Sequence, residues 1–370
     1  MQPGPFVPRP QFLLLPAPNL GGVSLNFTDD SGGVGEYQKS GDAPPAATFE
    51  ACWSADAILL EAMGLPNVRY PSGMEIAPQL DLRERLGLYG GVRPIRLYHG
   101  NDTPLKGYGR ARSTLYSFAK APKGCSRTAT RFRRRERRKR ATRFAPPASE
   151  RVCRLAFELA RKRRKVCSLV DKANVLSAMV FFCRIFDEVT ADYPDVEAGH
   201  VEIDATALYR VQRPDQFDVL VTENMFGDIL SDLSAGLVGG MGMTPSGDIG
   251  DEATVFELAY GAAPDIVRKG IANPIAMHLS AAMMLDWLPS DECRRVGKVL
   301  HDAAADALDD DCDCVLDSII EVLDEKVELL SQFPKAKARE CLFLSATSAL
   351  SPTAITTAAG LDELFVVAHF

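Results

Sequence analysis

A chain of 370 residues with 46% hydrophobic and 25% charged residues has the make-up of a globular protein long enough for two domains. Its net charge of -7 gives no general reason to expect nucleic acid as a partner, and no stretch is apolar for long enough to span a membrane. The Pro-rich opening lacks the plan of a signal peptide, and nine cysteines with only one close pair indicate neither a zinc site nor a disulfide scaffold, so reduced thiols in the cytoplasm are expected.

In chain order, QFLLLPA at 11–17 reads as an opening strand, and residues 28 to 46, rich in Gly, Asp and Pro, read as loop. Ala57 to Leu60 make a short apolar strand. LDLRERLGLYGGVRPIRLY is then a short amphipathic helix, a glycine break and a strand over 92–98. Between 131 and 144 the run RFRRRERRKRATRF carries nine Lys or Arg against one Glu, and is read as a solvated insert. A second patterned block opens at Ser149, with a helix over 149–164, the strand VCSLV, a helix over roughly 173–191, and the strands HVEIDA and FDVLVT. This alternation predicts an α/β fold. ANPIAMHLSAAMMLDWL at 272–288 reads as a helix buried on several sides, the acidic stretch from Asp302 to Asp317 as a solvated face or loop, and the end beyond 327 as irregular.

VTENMFGDILSDLSAG at 221–236 carries the most chemistry. It sets Asp228 and Asp232 four positions apart at the start of a predicted helix, so both carboxylates share one face. Paired oxygen ligands of this kind suit Mg2+ or Mn2+, although such pairs also occur on solvated helices. Lys172 in VDKANVL and Asp204 in VEIDATAL follow strand patterns, and strand ends are where α/β folds place chemistry. A lysine there can move a proton if its surroundings permit, with an aspartate to orient it. Arg83 and Arg93 flank the helix break, where each is either a fork for a substrate carboxylate or one half of a surface salt bridge.

With LDLRERLGLYGGVRP, VDKANVL, TENMFGDILSD, GMTPSGDIG and GAAPDIVRKGIANP on the page, residues 50–100 and 149–288 resemble the β-decarboxylating hydroxyacid dehydrogenases, the isopropylmalate, isocitrate and tartrate/malate dehydrogenase family. The resemblance implies that family's two-domain α/β fold, not a classical Rossmann fold, in a homodimer whose cleft the partner subunit completes. The division it suggests is 1–100 plus 240–330 for a cofactor-side domain, 101–239 for a second domain carrying the dimer interface and the insert, and 331–370 as an irregular tail. By the same resemblance, Arg83 and Arg93 grip a small anionic 2-hydroxy acid, and Lys172 takes the hydroxyl proton with Asp204 in support. Asp204, Asp228 and Asp232 approach the metal. Asn174, Glu257, Tyr260, Gly261, Asp265 and Asn273 meet NAD, and Asp265 disfavours the added phosphate of NADP.

Three departures stand out. The family's Arg-Glu-(Ser/Leu)-Thr-x-Gly segment, source of a third substrate arginine and a tyrosine, is replaced by residues 113–145. The glycine-rich opening Gly-Asp-Gly-Ile-Gly-Pro-Glu has no counterpart, and Tyr260 stands where the family has histidine. A polar Gln79 beside Leu80 leans toward tartrate or D-malate over 3-isopropylmalate. The alternative is a catalytically impaired or inactive member with a binding or structural role.

Overall fold

A computed structural model describes residues 23–108 apart from 24, 27, 66 and 99, residues 146–306 apart from 260 and 264–272, and the backbone of the strands at 116–120, 314–317, 342–346 and 365–368. The chain divides into two compact units, one of residues 1–78 with 256–370 and the other of residues 79–255. Among the described residues no helix is long and apolar enough to cross a membrane.

The first unit opens with α1 (Val34–Ser40), α2 (Ala46–Ser54) and β1 (Ile58–Leu60). Helix α1 corrects the expectation of loop over 28–46. Its single buried apolar residue, Val34, anchors a small cluster with Ala43 and Ile76, and one residue of that kind leaves no periodic pattern to read. Strand β1 lies beside β8 (Thr254–Leu258), which belongs to this unit from Phe256 onward, and α8 (Ile275–Trp287) and α9 (Asp291–Asp306) follow. Ten positions of α8 are buried, as its apolar sequence predicts. Among them is His278, whose ring lies 2.9 Å from the Pro274 carbonyl and whose pKa burial pushes down to about 4.

Gly297 lets α9 close on α8. A Cβ at that position would stand 2.8 Å from the Ala282 carbonyl oxygen, a backbone atom held by its helix. Gly297→Ala therefore lowers stability by about 1–3 kcal/mol despite alanine's better helix propensity. A denaturation midpoint equal to or above wild type would contradict that packing.

A separate parallel sheet, order β11-β10-β9, joins β9 (Cys314–Asp317), β10 (Leu342–Ala346) and β11 (Phe365–Ala368). It corrects the expectation of an irregular end. The acidic stretch is likewise divided between the last turn of α9 and β9 within the described residues.

The second unit holds α3 (Pro78–Arg85) from Gln79 onward, β2 (Gly90–Ile95), β3 (Tyr116–Lys120), α4 (Pro146–Arg161), β4 (Val166–Asp171), α5 (Ser177–Thr190), β5 (Glu197–Glu202), α6 (Ile203–Gln212), β6 (Val219–Thr222), α7 (Asn224–Gly236) and β7 (Pro245–Ile249). Its sheet runs β7-β2-β3-β6-β4-β5. Strands β3, β6, β4 and β5 are parallel, and β2 is antiparallel to both neighbours.

Strands β4 and β6 are buried on both faces, which is why they read as apolar runs. Cys167, Leu169, Val219 and Val221 turn toward Val152, Phe157, Phe182 and Phe186 of α4 and α5. Val170 and Leu220 turn the other way, onto Ile95, Leu230 and Val238. Strand β3 is an element the sequence does not predict; it lies within 113–145, where the family's own segment is replaced. The basic run 131–144 and the predicted strand at 11–17 lie outside the described residues.

Candidate active site

Two groups of predicted site residues assemble within the second unit. The first is built on α7. Strand β6 is buried along its whole length and delivers the chain to Glu223, the N-cap of α7, whose carboxylate accepts a 2.8 Å hydrogen bond from the Phe226 amide. That cap fixes the first turn and thereby the direction of Asp228 and Asp232, whose side chains are 42% and 55% exposed.

Arg93 on β2 reaches the same pair from the protein side, its own side chain only 8% exposed. Its Nη2 lies 3.5 Å from Asp228 Oδ1 and its Nη1 3.5 Å from Asp232 Oδ1, while Nη1 donates to Ser231 Oγ at 2.6 Å. Asn224 Nδ2 donates to Asp228 Oδ2 at 3.1 Å. The outcome is a guanidinium and two half-exposed carboxylates held in register.

The second group sits where β4 ends. Lys172 Nζ donates to Asp204 Oδ1 at 2.6 Å and to Glu202 Oε2 at 3.1 Å. These bonds, that to Asp204 foremost, raise the lysine's pKa above its ordinary value, and the same bond lowers that of Asp204. Asp204 follows the end of β5 by two residues. It lies in the first turn of α6, where a carboxylate is favoured by the helix dipole, because β5 stops at Glu202.

Arg83 lies on α3. Its Nε donates to Asp248 of β7 in an ion pair whose side chains are 13% and 6% exposed, so it is not a surface salt bridge. Asn174 lies exposed in the turn between β4 and α5.

In the first unit Glu257 is buried near the end of β8, and Asn273 accepts a 3.0 Å hydrogen bond from the Ile275 amide at the start of α8. A Cβ on Gly261 would meet nothing within 4 Å. Glu257 and Asn273 thus frame the predicted cofactor loop, while Tyr260 and Asp265 within it lie outside the described residues.

An all-oxygen, half-exposed pair of carboxylates fits a hard divalent cation. Asp204 does not join that pair within one chain. Among the described residues the only group of three or more His, Cys, Asp or Glu ligands within 4.8 Å of one another is Asp171, Cys183 and His200. Sequence reasoning did not identify Ser231, Asp248 or Glu202 as partners of Arg93, Arg83 and Lys172. Glu223, three residues before the Phe226 amide it caps, had a local signal that was open to reading.

Residues 14–315 match the family model described as isocitrate/isopropylmalate dehydrogenase, and residues 267–370 match the NAD binding domain of 3-hydroxyacyl-CoA dehydrogenase. The chain is 39% identical over 279 residues to the 3-isopropylmalate dehydrogenase of Aquifex aeolicus, covering 72% of this chain and 75% of that protein. It is 39% identical over 287 residues to the isocitrate/homoisocitrate dehydrogenase of Thermus thermophilus, covering 75% and 82%. The crystal structure of isocitrate dehydrogenase from Methylococcus capsulatus superposes with a TM-score of 0.66 at 34% identity, covering 77% of this chain and 84% of that one. Together with the α/β architecture described above, these matches place the chain in the isocitrate/isopropylmalate dehydrogenase family.

Proposed function

We propose that the protein is a homodimeric dehydrogenase that oxidises a malate-type 2-hydroxy acid, with or without decarboxylation, using NAD and Mg2+ or Mn2+. The observation that carries this reading is the division of the site into two groups. Lys172 with Asp204 forms one, and Arg93 with Asp228 and Asp232 forms the other. A second copy of the chain would supply the first group to the second.

Exposed apolar side chains support such an interface. Met225 and Ile229 on α7, Val175 in the turn before α5 and Val180 in its first turn are each more than half exposed.

Asp228 and Asp232 would hold the divalent cation, which supplies Lewis acidity toward the substrate's hydroxyl and carboxylate oxygens. NAD supplies the hydride acceptor, and the match of residues 267–370 to an NAD-binding domain supports it. Asp265 favours NAD over NADP by like-charge repulsion. Lys172 accepts the hydroxyl proton at Nζ once that nitrogen is unprotonated, and Asp204 holds it in place. Arg93, buried and cationic, attracts the substrate's carboxylate while keeping Asp228 and Asp232 oriented. Arg83, paired with Asp248 on the strand beside β2, adds its positive charge.

The relatives named for 3-isopropylmalate make that acid the first candidate, with D-malate, tartrate and isocitrate as the comparison set. Half-buried Gln79 and Leu80 leave room for either a polar or an apolar substituent to be preferred. The replacement of the Arg-Glu-(Ser/Leu)-Thr-x-Gly segment favours the second reading, an impaired member with a binding or structural role. NADH formation by purified protein with Mn2+ or Mg2+ separates the two. Turnover on one of these acids that requires the cation is expected. A folded protein silent on all four would leave the binding reading.

A further inference from the structure

A cluster outside both groups has the make-up of a transition-metal site. In the parallel register of β4 and β5, Leu169 pairs with His200 and Asp171 with Glu202. The two-residue repeat of a strand therefore turns Asp171 and His200 to the same face, the one that α5 covers. Helix α5 brings Cys183 and Asp187, four residues and one turn apart, over them. One ligand atom each from Asp171, Cys183 and His200 lies within 4.8 Å of the other two.

The surroundings orient these atoms. The Asp171 carboxylate accepts the Ala173 amide on Oδ1 at 2.8 Å, which leaves Oδ2 facing His200 Nδ1 at 3.5 Å. On the far side of the imidazole, Nε2 lies 2.7 Å from Asp187 Oδ1. The Phe186 ring meets the imidazole edge-on at 5.3 Å between centroids.

A carboxylate on one histidine nitrogen fixes the tautomer that presents the other nitrogen as a ligand, the usual outer-shell arrangement around a metal-bound histidine. One nitrogen, one sulfur and one oxygen suit Zn2+, with water in the fourth place, and not the hard cations that Asp228 and Asp232 suit. Bond lengths near 2.0–2.3 Å imply ligand separations of roughly 3.3–3.8 Å, and His200 Nδ1 and Asp171 Oδ2 already stand 3.5 Å apart. Half-buried Cys183 and exposed His200 leave a side open for entry.

We propose that Asp171, Cys183 and His200, with Asp187 behind the histidine, bind a zinc-like divalent ion. In the metal-free protein, burial and then Asp171 push the Cys183 thiol up to about 12, so binding displaces its proton.

Co2+ added to the full chain tests this directly, because thiolate ligation gives a charge-transfer band that oxygen-only sites lack. We expect the band in the wild type and in the Asp228→Asn/Asp232→Asn double variant, and its loss in Cys183→Ser. Zn2+ competition should show affinity reduced about 10–100-fold in Asp187→Asn and more in His200→Gln. His200 is exposed, so His200→Gln carries the test if Cys183→Ser fails to fold. No band from folded wild type, or a band undiminished in both Cys183→Ser and His200→Gln, would show an ordinary histidine-carboxylate pair and overturn the proposal.

Discussion

Lys172→Met lowers NADH formation by on the order of 10²–10⁴-fold, the usual contribution of a positioned proton acceptor, with far less effect on the KM of the hydroxy acid. Methionine keeps the length and apolar stem of the side chain but cannot accept a proton. The reason for expecting a clean loss is geometric. Nζ is held by Asp204 at 2.6 Å and Glu202 at 3.1 Å, so no other amine stands ready to replace it within that group.

The same bonds set the pH dependence. They favour the ammonium form and raise the lysine's pKa, Asp204 more than Glu202. Only the free amine accepts a proton, so activity rises with pH as Lys172 loses its charge. Asp204→Asn removes the larger of the two causes, and the rising limb of the rate profile should move to lower pH. A loss below about tenfold in Lys172→Met, or a limb that stays put in Asp204→Asn, would assign the proton to another group.

How much of this was legible in the sequence depends on the range of the interactions. The pair Asp228 and Asp232 was readable because a helix has one period and both residues lie within it. The buried strands β4 and β6 were readable because burial on both faces makes a strand continuously apolar. The Arg83–Asp248 ion pair spans 165 positions, and nothing local to either residue announces it. It ties α3 to β7, the strand that pairs with β2 and so lies beside the one carrying Arg93, and neither arginine's flanking sequence shows its partner.

The strand HVEIDA ends earlier than its sequence suggests for a different reason. VEIDATAL is apolar enough to continue β5, yet Asp204 also suits a first helical turn, and the packing decides for the helix. Strand β3 pairs with β2 and β6 through backbone hydrogen bonds. Pairing of that kind recruits a short segment whose neighbours in sequence are strongly basic, so composition misled there. The strands β9, β10 and β11 are four or five residues each and separated by long stretches, which dilutes a two-residue repeat below recognition.

Mixing two inactive variants should restore activity, and this outcome follows from the division of the site. Lys172→Met lacks the proton acceptor and Asp228→Asn lacks a metal carboxylate, so each homodimer is defective at both of its sites. After dissociation and reassociation of equal amounts, half of the dimers carry one chain of each kind. In these, one site receives both defects and the other receives intact Lys172 from one chain and intact Asp228 from its partner. The expected recovery is about a quarter of wild-type turnover. The physical ground is that Asp204, bonded to Lys172, does not join Asp228 and Asp232 as a ligand group within one chain. Recovery near that level establishes that Lys172 acts on the partner's carboxylates. A mixture as inactive as its components, with mixed dimers shown to have formed by two distinguishable tags, would place Lys172 and Asp228 in the same chain's site and remove the reason for the dimer.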